Sequence, residues 1–231
     1  MRLIVVDPRL LVRAFEFPRC NVAKLLALFA YGRICVNAQG YRREEVEKME
    51  ESARECDADF DISRERAAAE REIEQARCRK DSMESAFEQH APGDLLLVTS
   101  PPIVSDLLDL AQASQTHNPH VYPDRVVRHV ASHTFRALEE LGPAPNYLSR
   151  GQVSKHDYLI HTAMEAEAST LVTDDPMLLL PGDASHESPK TRHRVRPYSL
   201  EEFIADLPVV LDLNAIDPYA VLRAAVAEPA L

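Results

Sequence analysis

Four aspartates stand where runs of one secondary-structure type give way to another. Asp7 follows the β-branched run Leu3-Ile4-Val5-Val6, and Asp175 follows Thr170-Leu171-Val172-Thr173. Asp106 lies about two turns into the helix-like segment after residues 94–99, and Asp157 falls in the first turn of a helix opened by Ser154. In an open parallel sheet, ligands collect beyond the carboxyl ends of the strands. Carboxylates aimed at one such crevice cannot all stay ionised without a cation. Mg²⁺ or Mn²⁺, hard ions that prefer oxygen ligands, would relieve that repulsion. Asp174 stands ready to share the duty of Asp175. Each acid also has a plainer role. Asp7 and Asp175 both precede proline and suit helix N-caps, Asp157 closes an S-x-x-D capping pattern, and Asp106 fits a solvated helix face. The case rests on their shared placement.

The elements that would position them alternate. The short run at 3–6 reads as a buried parallel strand, with Asp7-Pro8 as a helix start and Leu10, Leu11 and Ala14 at helical spacing. Residues 22–30 read as a second apolar helix closed by Gly32, with Ile34-Cys35-Val36 a further short strand. From Tyr41 to about Gln89 charges alternate densely and no apolar face stands out. This stretch (41–90) reads as two solvated helices broken near Asp57–Ser63, inserted as an arm or cover, or else as partly disordered chain. Residues 94–99 are a strand, Ser100-Pro101 caps a helix, and 124–141 form another helix stopped by Gly142-Pro143. The helix from Ser154 to about Ala168 and the strand at 170–173 complete an α/β alternation, the pattern of a doubly wound parallel sheet.

Composition narrows the field. The chain has 231 residues and can bury one full core. No apolar run approaches the roughly 20 residues that span a bilayer. The opening residues lack the features of a secretory signal, so a cytoplasmic, non-membrane protein is expected. Cys20, Cys35, Cys56 and Cys78 never form a C-x-x-C pair, which argues against a zinc knuckle. The formal charge of −11 opposes non-specific attraction to phosphate backbones, so a nucleic-acid enzyme of this charge needs cations or a local basic patch. Lys190, Arg192, His193, Arg194 and Arg196 are such a patch, read either as an RNA-phosphate contact or as a solvated loop. His129 and His133 sit at i, i+4 without an evident third zinc ligand and read as surface residues. His161 reads as packing or surface. No phosphate-cradling glycine loop and no G-x-S-x-G elbow is present.

Lys155-His156-Asp157-Tyr158-Leu159-Ile160-His161-Thr162-Ala163, followed by Leu171-Val172-Thr173-Asp174-Asp175, resembles the C-terminal signature of PIN domains. Ile4-Val5-Val6-Asp7 with Leu10-Leu11-Val12 resembles their first strand and leading acid. Leu97-Val98-Thr99-Ser100-Pro101-Pro102-Ile103-Val104-Ser105-Asp106-Leu107 is similar to the segment bearing their second acid, and Pro197-Tyr198-Ser199-Leu200-Glu201-Glu202-Phe203 to their closing strand and helix. The likeness covers roughly residues 1–40 and 94–207. It implies a PIN-like three-layer fold over 1–207 with a central parallel sheet, the arm at 41–90 inserted in it, and an extension at 208–231 that serves dimer or antitoxin contact or is a loose tail. It also implies that Asp7, Asp106, Asp157 and Asp175 are catalytic and bind Mg²⁺ or Mn²⁺. The activity so implied is a metal-dependent endoribonuclease, and many bacterial members are the toxin of a toxin–antitoxin pair. RNA, an antitoxin protein and a second copy of the chain are then the expected partners.

Two departures open an alternative. The family's D-T-N or D-S-N at the first acid is here Asp7-Pro8-Arg9, which removes hydrogen bonds that would hold the carboxylate. Arg9 could stand in for a cation or bind phosphate. The second acid, usually Glu, is Asp106, and Glu44 or Glu45 is a rival. The alternative is therefore a catalytically degenerate PIN fold that binds RNA or a protein. A phosphotransferase of the HAD type would need D-x-D, and Arg9 stands where its second acid should be.

Overall fold

The computed structural model describes residues 1–55, 62–85, 87, 91–141, 157–179, 185–187, 192–207 and 212–226. Six strands form one sheet: β1 (Arg2–Val6), β2 (Leu95–Thr99), β3 (Thr134–Ala137), β4 (Thr170–Val172), β5 (His186–Glu187) and β6 (Arg194–Tyr198). Their order is β3-β2-β1-β4-β6-β5, and every pairing is parallel except β5 with β6. Ile4 is the register point, facing Leu97 on one side and Thr170 on the other.

Period-2 alternation sends neighbouring side chains of β1 to opposite faces of the sheet. Ile4 and Val6 join a core built with α1 (Pro8–Glu16), α2 (Asn21–Ala38), α6 (Pro123–His133) and α9 (Pro218–Val226). Val5 joins a second core with α7 (Asp157–Glu165), through Leu159, Ile160 and Ala163. The helix α5 (Pro101–Gln115) contributes to both, Leu107 to the first and Ile103 to the second. The result is an α/β architecture with a mostly parallel central sheet flanked by helices. Among the described residues no helix is long and apolar enough to cross a membrane.

Several elements differ from the sequence expectation, each for a packing reason. Gly32 does not end a helix, because α2 runs unbroken through it to Ala38. A Cβ at Gly32 would lie 2.1 Å from the Leu95 carbonyl oxygen, so the glycine is there to let α2 lie on β2. The apolar residues at 34–36 are consequently helical, and α2 is buried nearly all round. The segment 124–141 is not one helix. It is α6 followed by β3, which pairs with β2. Ser100 sits at the N-cap of α5 without a side-chain capping bond, and its hydroxyl instead meets that of Thr162 at 2.7 Å.

The charged arm is a pair of helices, α3 (Tyr41–Glu55) and α4 (Ser63–Glu84), with 56–61 outside the described residues. It is a cover, and α4 has an apolar stripe of Ala69, Ile73, Ala76 and Met83: α4 packs along α2, while Ala69 clusters with Val46 of α3. Tyr31 on α2 donates to Glu84 at 2.8 Å, and Arg43 holds Glu70 at 2.8 Å across the arm. The extension beyond 207 contributes a 3-10 turn at Leu213–Ala215 and then α9, which packs on both α2 and α4. The helix α8 (Leu200–Ala205) carries the buried Phe203 and begins with a capping box of Ser199 and Glu202.

His133 is buried rather than on the surface, and His129 is half-buried. Their rings meet edge-on with Nε2 atoms 3.1 Å apart, and His133 is 4% exposed. Burial, with the nearby His129 and Arg33, pushes the His133 imidazole down to about 3. An unfolded histidine titrates near 6.5, so on acidification the unfolded chain takes up a proton that the fold refuses. Stability is therefore full above the unfolded value and falls with pH below it. From about pH 8 to about pH 5 the loss from this one residue should be roughly 2 kcal/mol, read as a shift of the urea midpoint. A midpoint that stays constant over that range in wild type would contradict a buried neutral imidazole.

Candidate functional site

β1 has β2 on one side and β4 on the other, so the chain leaves these two central strands in opposite directions. That reversal opens a crevice beyond their carboxyl ends. Asp7 is the first residue past β1, and its amide donates to the Val172 carbonyl at 2.9 Å. Thr173 is the first residue past β4, and its amide is tied to the Tyr198 carbonyl of β6 at 2.9 Å. Three strand ends are thereby locked around one spot.

Asp7 is 1% exposed and accepts four hydrogen bonds. Its Oδ1 takes the Arg9 backbone amide at 2.9 Å and Arg9 Nε at 3.1 Å. Its Oδ2 takes Arg9 Nη2 at 2.7 Å and the Thr173 hydroxyl at 2.7 Å. Both oxygens are therefore saturated. Burial alone would push this carboxyl up, but the Arg9 guanidinium, Thr173 and the Arg9 amide outweigh it and hold the group below the ordinary aspartate value. Arg9 in turn is raised, first by its bond to Asp7 and further by Asp175.

The same Nη2 of Arg9 lies 3.3 Å from Asp175 Oδ2. One guanidinium thus bridges the acids that follow β1 and β4. Thr173 completes the bridge from the protein side, since its hydroxyl gives a hydrogen to Asp7 and accepts the Asp175 amide at 3.0 Å. Both acids also serve as caps. Asp7 opens α1, and Asp175 Oδ1 accepts the Met177 amide at 2.9 Å.

Asp106 approaches this crevice through Tyr158, whereas the interaction recorded for Asp157 is with His186. Tyr158, the second residue of α7, donates its hydroxyl to Asp106 Oδ2 at 2.5 Å. Burial first and this carboxylate second drive the phenol far above its usual range, and Asp7 and Arg9 also act on it. Asp106 therefore shares the neighbourhood of the Asp7–Arg9 pair through Tyr158. Asp157 opens α7, and its charge reaches His186 on β5, whose imidazole burial holds down.

The remaining candidates lie elsewhere. Asp174 is exposed, pairs with Arg13 at 3.2 Å and accepts the Leu200 amide at 3.2 Å, so it braces α8 rather than the crevice. Glu44 lines a hollow with Met1 and Asp94, at the amino ends of β1 and β2 and so opposite the crevice, and Glu45 is paired with Arg42 at 2.8 Å. Neither can replace Asp106. Arg194 is held by Glu187 at 3.0 Å. Arg192 is exposed, with a positive φ of 55°. Lys190 lies outside the described residues. His161 is buried, 3.5 Å from Glu165.

Arg9 takes the position between the two acids in this structure. Among the described residues no three His, Cys, Asp or Glu side chains are grouped so as to hold one ion. Asp7 has no acceptor position left, and the cation between Asp7 and Asp175 is Arg9 itself. Sequence reasoning did not single out Thr173 or Tyr158. Both lie inside the quoted signature, but nothing in their spacing marks them as the groups that orient Asp7 and Asp106. The chain matches no protein family, no curated protein and no solved structure.

Proposed function

We propose that this chain is a PIN-type frame in which Arg9 has replaced the metal, making it a binding module without nuclease activity. The observation that carries this reading is the guanidinium shared by Asp7 and Asp175. A charge fixed to the backbone two residues away satisfies both carboxylates without any dissociable ion. Asp7, Asp175 and, through Tyr158, Asp106 set three carboxylates against one guanidinium and leave the crevice region anionic, in a chain of net charge −11. That field repels RNA phosphates and favours a protein segment bearing lysine or arginine side chains. Asp106 and Asp157, only half-buried, are the acids such a segment can reach.

The test is incubation of the purified chain with single-stranded RNA in Mg²⁺ and in Mn²⁺, alongside titration with a lysine- and arginine-rich peptide. No RNA turnover is expected, and peptide binding should weaken about tenfold, or 1.4 kcal/mol, in an Asp106→Asn, Asp157→Asn double variant. Metal-dependent cleavage that disappears in Asp7→Ala would overturn this reading. It would favour the endoribonuclease that the resemblance implies, for which the approach of Asp106 toward the Asp7–Arg9 pair is the supporting observation.

A further inference from the structure

At the end of α1 remote from Asp7, two adjoining cavities open against α9. They share Pro218, Tyr219 and Arg223. One, of about 560 Å³, is apolar, walled by Ala14, Phe15, Pro18, Ala23, Leu26 and Leu222. The other, of about 710 Å³, is cationic, lined by Arg19, Lys24 and Arg223, with Asp217 as its one acid among the described residues.

Lys24 is the decisive group. It is 8% exposed, yet its ammonium has no hydrogen bond or ion pair with any described residue. Its stem is packed away while its ammonium opens on the cavity, the usual arrangement of a long amphipathic side chain. The neighbouring charges do not help. Asp217 is occupied by the Tyr219 amide at 3.0 Å, Arg223 gives only its Nε to the Tyr219 carbonyl at 3.1 Å, and Arg19 adds a further positive charge. Among the described residues, three cations against one carboxylate make this a positive pocket in a strongly negative chain.

We propose that these cavities together form a binding site for a small amphipathic carboxylate. Its head group pairs with Lys24 between Arg19 and Arg223, and its hydrocarbon part lies along Phe15, Leu26 and Leu222. The volumes fall in the range of small-molecule sites. The apolar cavity beside the three cations matches a head group and a hydrocarbon part carried on one small molecule. The site is independent of the carboxylate crevice and of the function proposed for it.

Calorimetric titration of the full chain with decanoate, decanol and acetate tests this. Decanoate should bind, while decanol, lacking the charge, and acetate, lacking the chain, should each bind at least about tenfold more weakly. Lys24→Met, which keeps the stem and removes the charge, should weaken decanoate by a similar factor and leave decanol unchanged. Failure of decanoate to bind, equal affinity for decanol, or an unchanged decanoate affinity in Lys24→Met would overturn the proposal. If Lys24→Met does not give the wild-type circular dichroism, Arg223→Gln decides instead. A loss of decanoate affinity supports the site, and an unchanged affinity overturns it.

Discussion

Asp7→Ala should destabilise the protein by about 3 kcal/mol or more, one of the two largest effects expected of any substitution here. The alanine removes the acceptor of four hydrogen bonds at a position that is 1% exposed. It also deprives α1 of its N-cap, worth about 1 kcal/mol by itself. Arg9 would then face Asp175 alone, and the Thr173 hydroxyl would lose the carboxylate it donates to. The pH dependence gives a second signature. Because the Asp7 pKa is lowered in the fold, its stabilising contribution is complete above the ordinary aspartate value near 3.8 and disappears as pH falls through the lower folded value. The acid limb of the urea-midpoint profile should therefore be shallower in Asp7→Ala than in wild type. A variant as stable as wild type would mean that the Asp7–Arg9 pair contributes nothing to the fold.

Arg9→Asn should do the reverse for metal. Removing the guanidinium takes away the cation that bridges the Asp7 and Asp175 carboxylates. Their repulsion is then relieved most readily by a divalent cation. We expect Mn²⁺ affinity, measured by calorimetry, to rise at least about tenfold over wild type. The variant should also gain thermal stability on addition of Mn²⁺ while wild type does not, since a ligand that binds only the fold stabilises it. Equal Mn²⁺ responses in the two proteins would show that Arg9 does not occupy a cation position.

Much of the frame was legible because it depends on patterns that survive without tertiary context. The β-branched runs at 3–6, 94–99 and 170–173 fall on β1, β2 and β4, and the acid–proline steps after β1 and β4 fall on the central pair of the sheet. What escaped depended on what each residue packs against. Gly32 reads as a stop signal in isolation, and only the Leu95 carbonyl above it explains why the helix continues. The stripe on α4 is mostly alanine, too small to stand out among so many charges, and its partner α2 is distant in sequence. Thr134–Ala137 follows α6 with no turn residue, so nothing local separates β3 from the helix before it. The site was half legible. Asp7, Arg9 and Asp175 were all singled out, and a cationic role for Arg9 was among its readings, yet the choice between metal and arginine turns on a side-chain rotamer and on Thr173.

The strand β5 has a consequence for how copies of this chain can meet. An open sheet with a long free margin offers unpaired amides and carbonyls as a template on which another chain can add a strand. Among the described residues that side closes with His186 and Glu187, running antiparallel to β6, the glutamate already bound to Arg194. So short and charged a border supports no continuous ladder. The described part of that border is therefore a poor template for growth of the sheet from molecule to molecule.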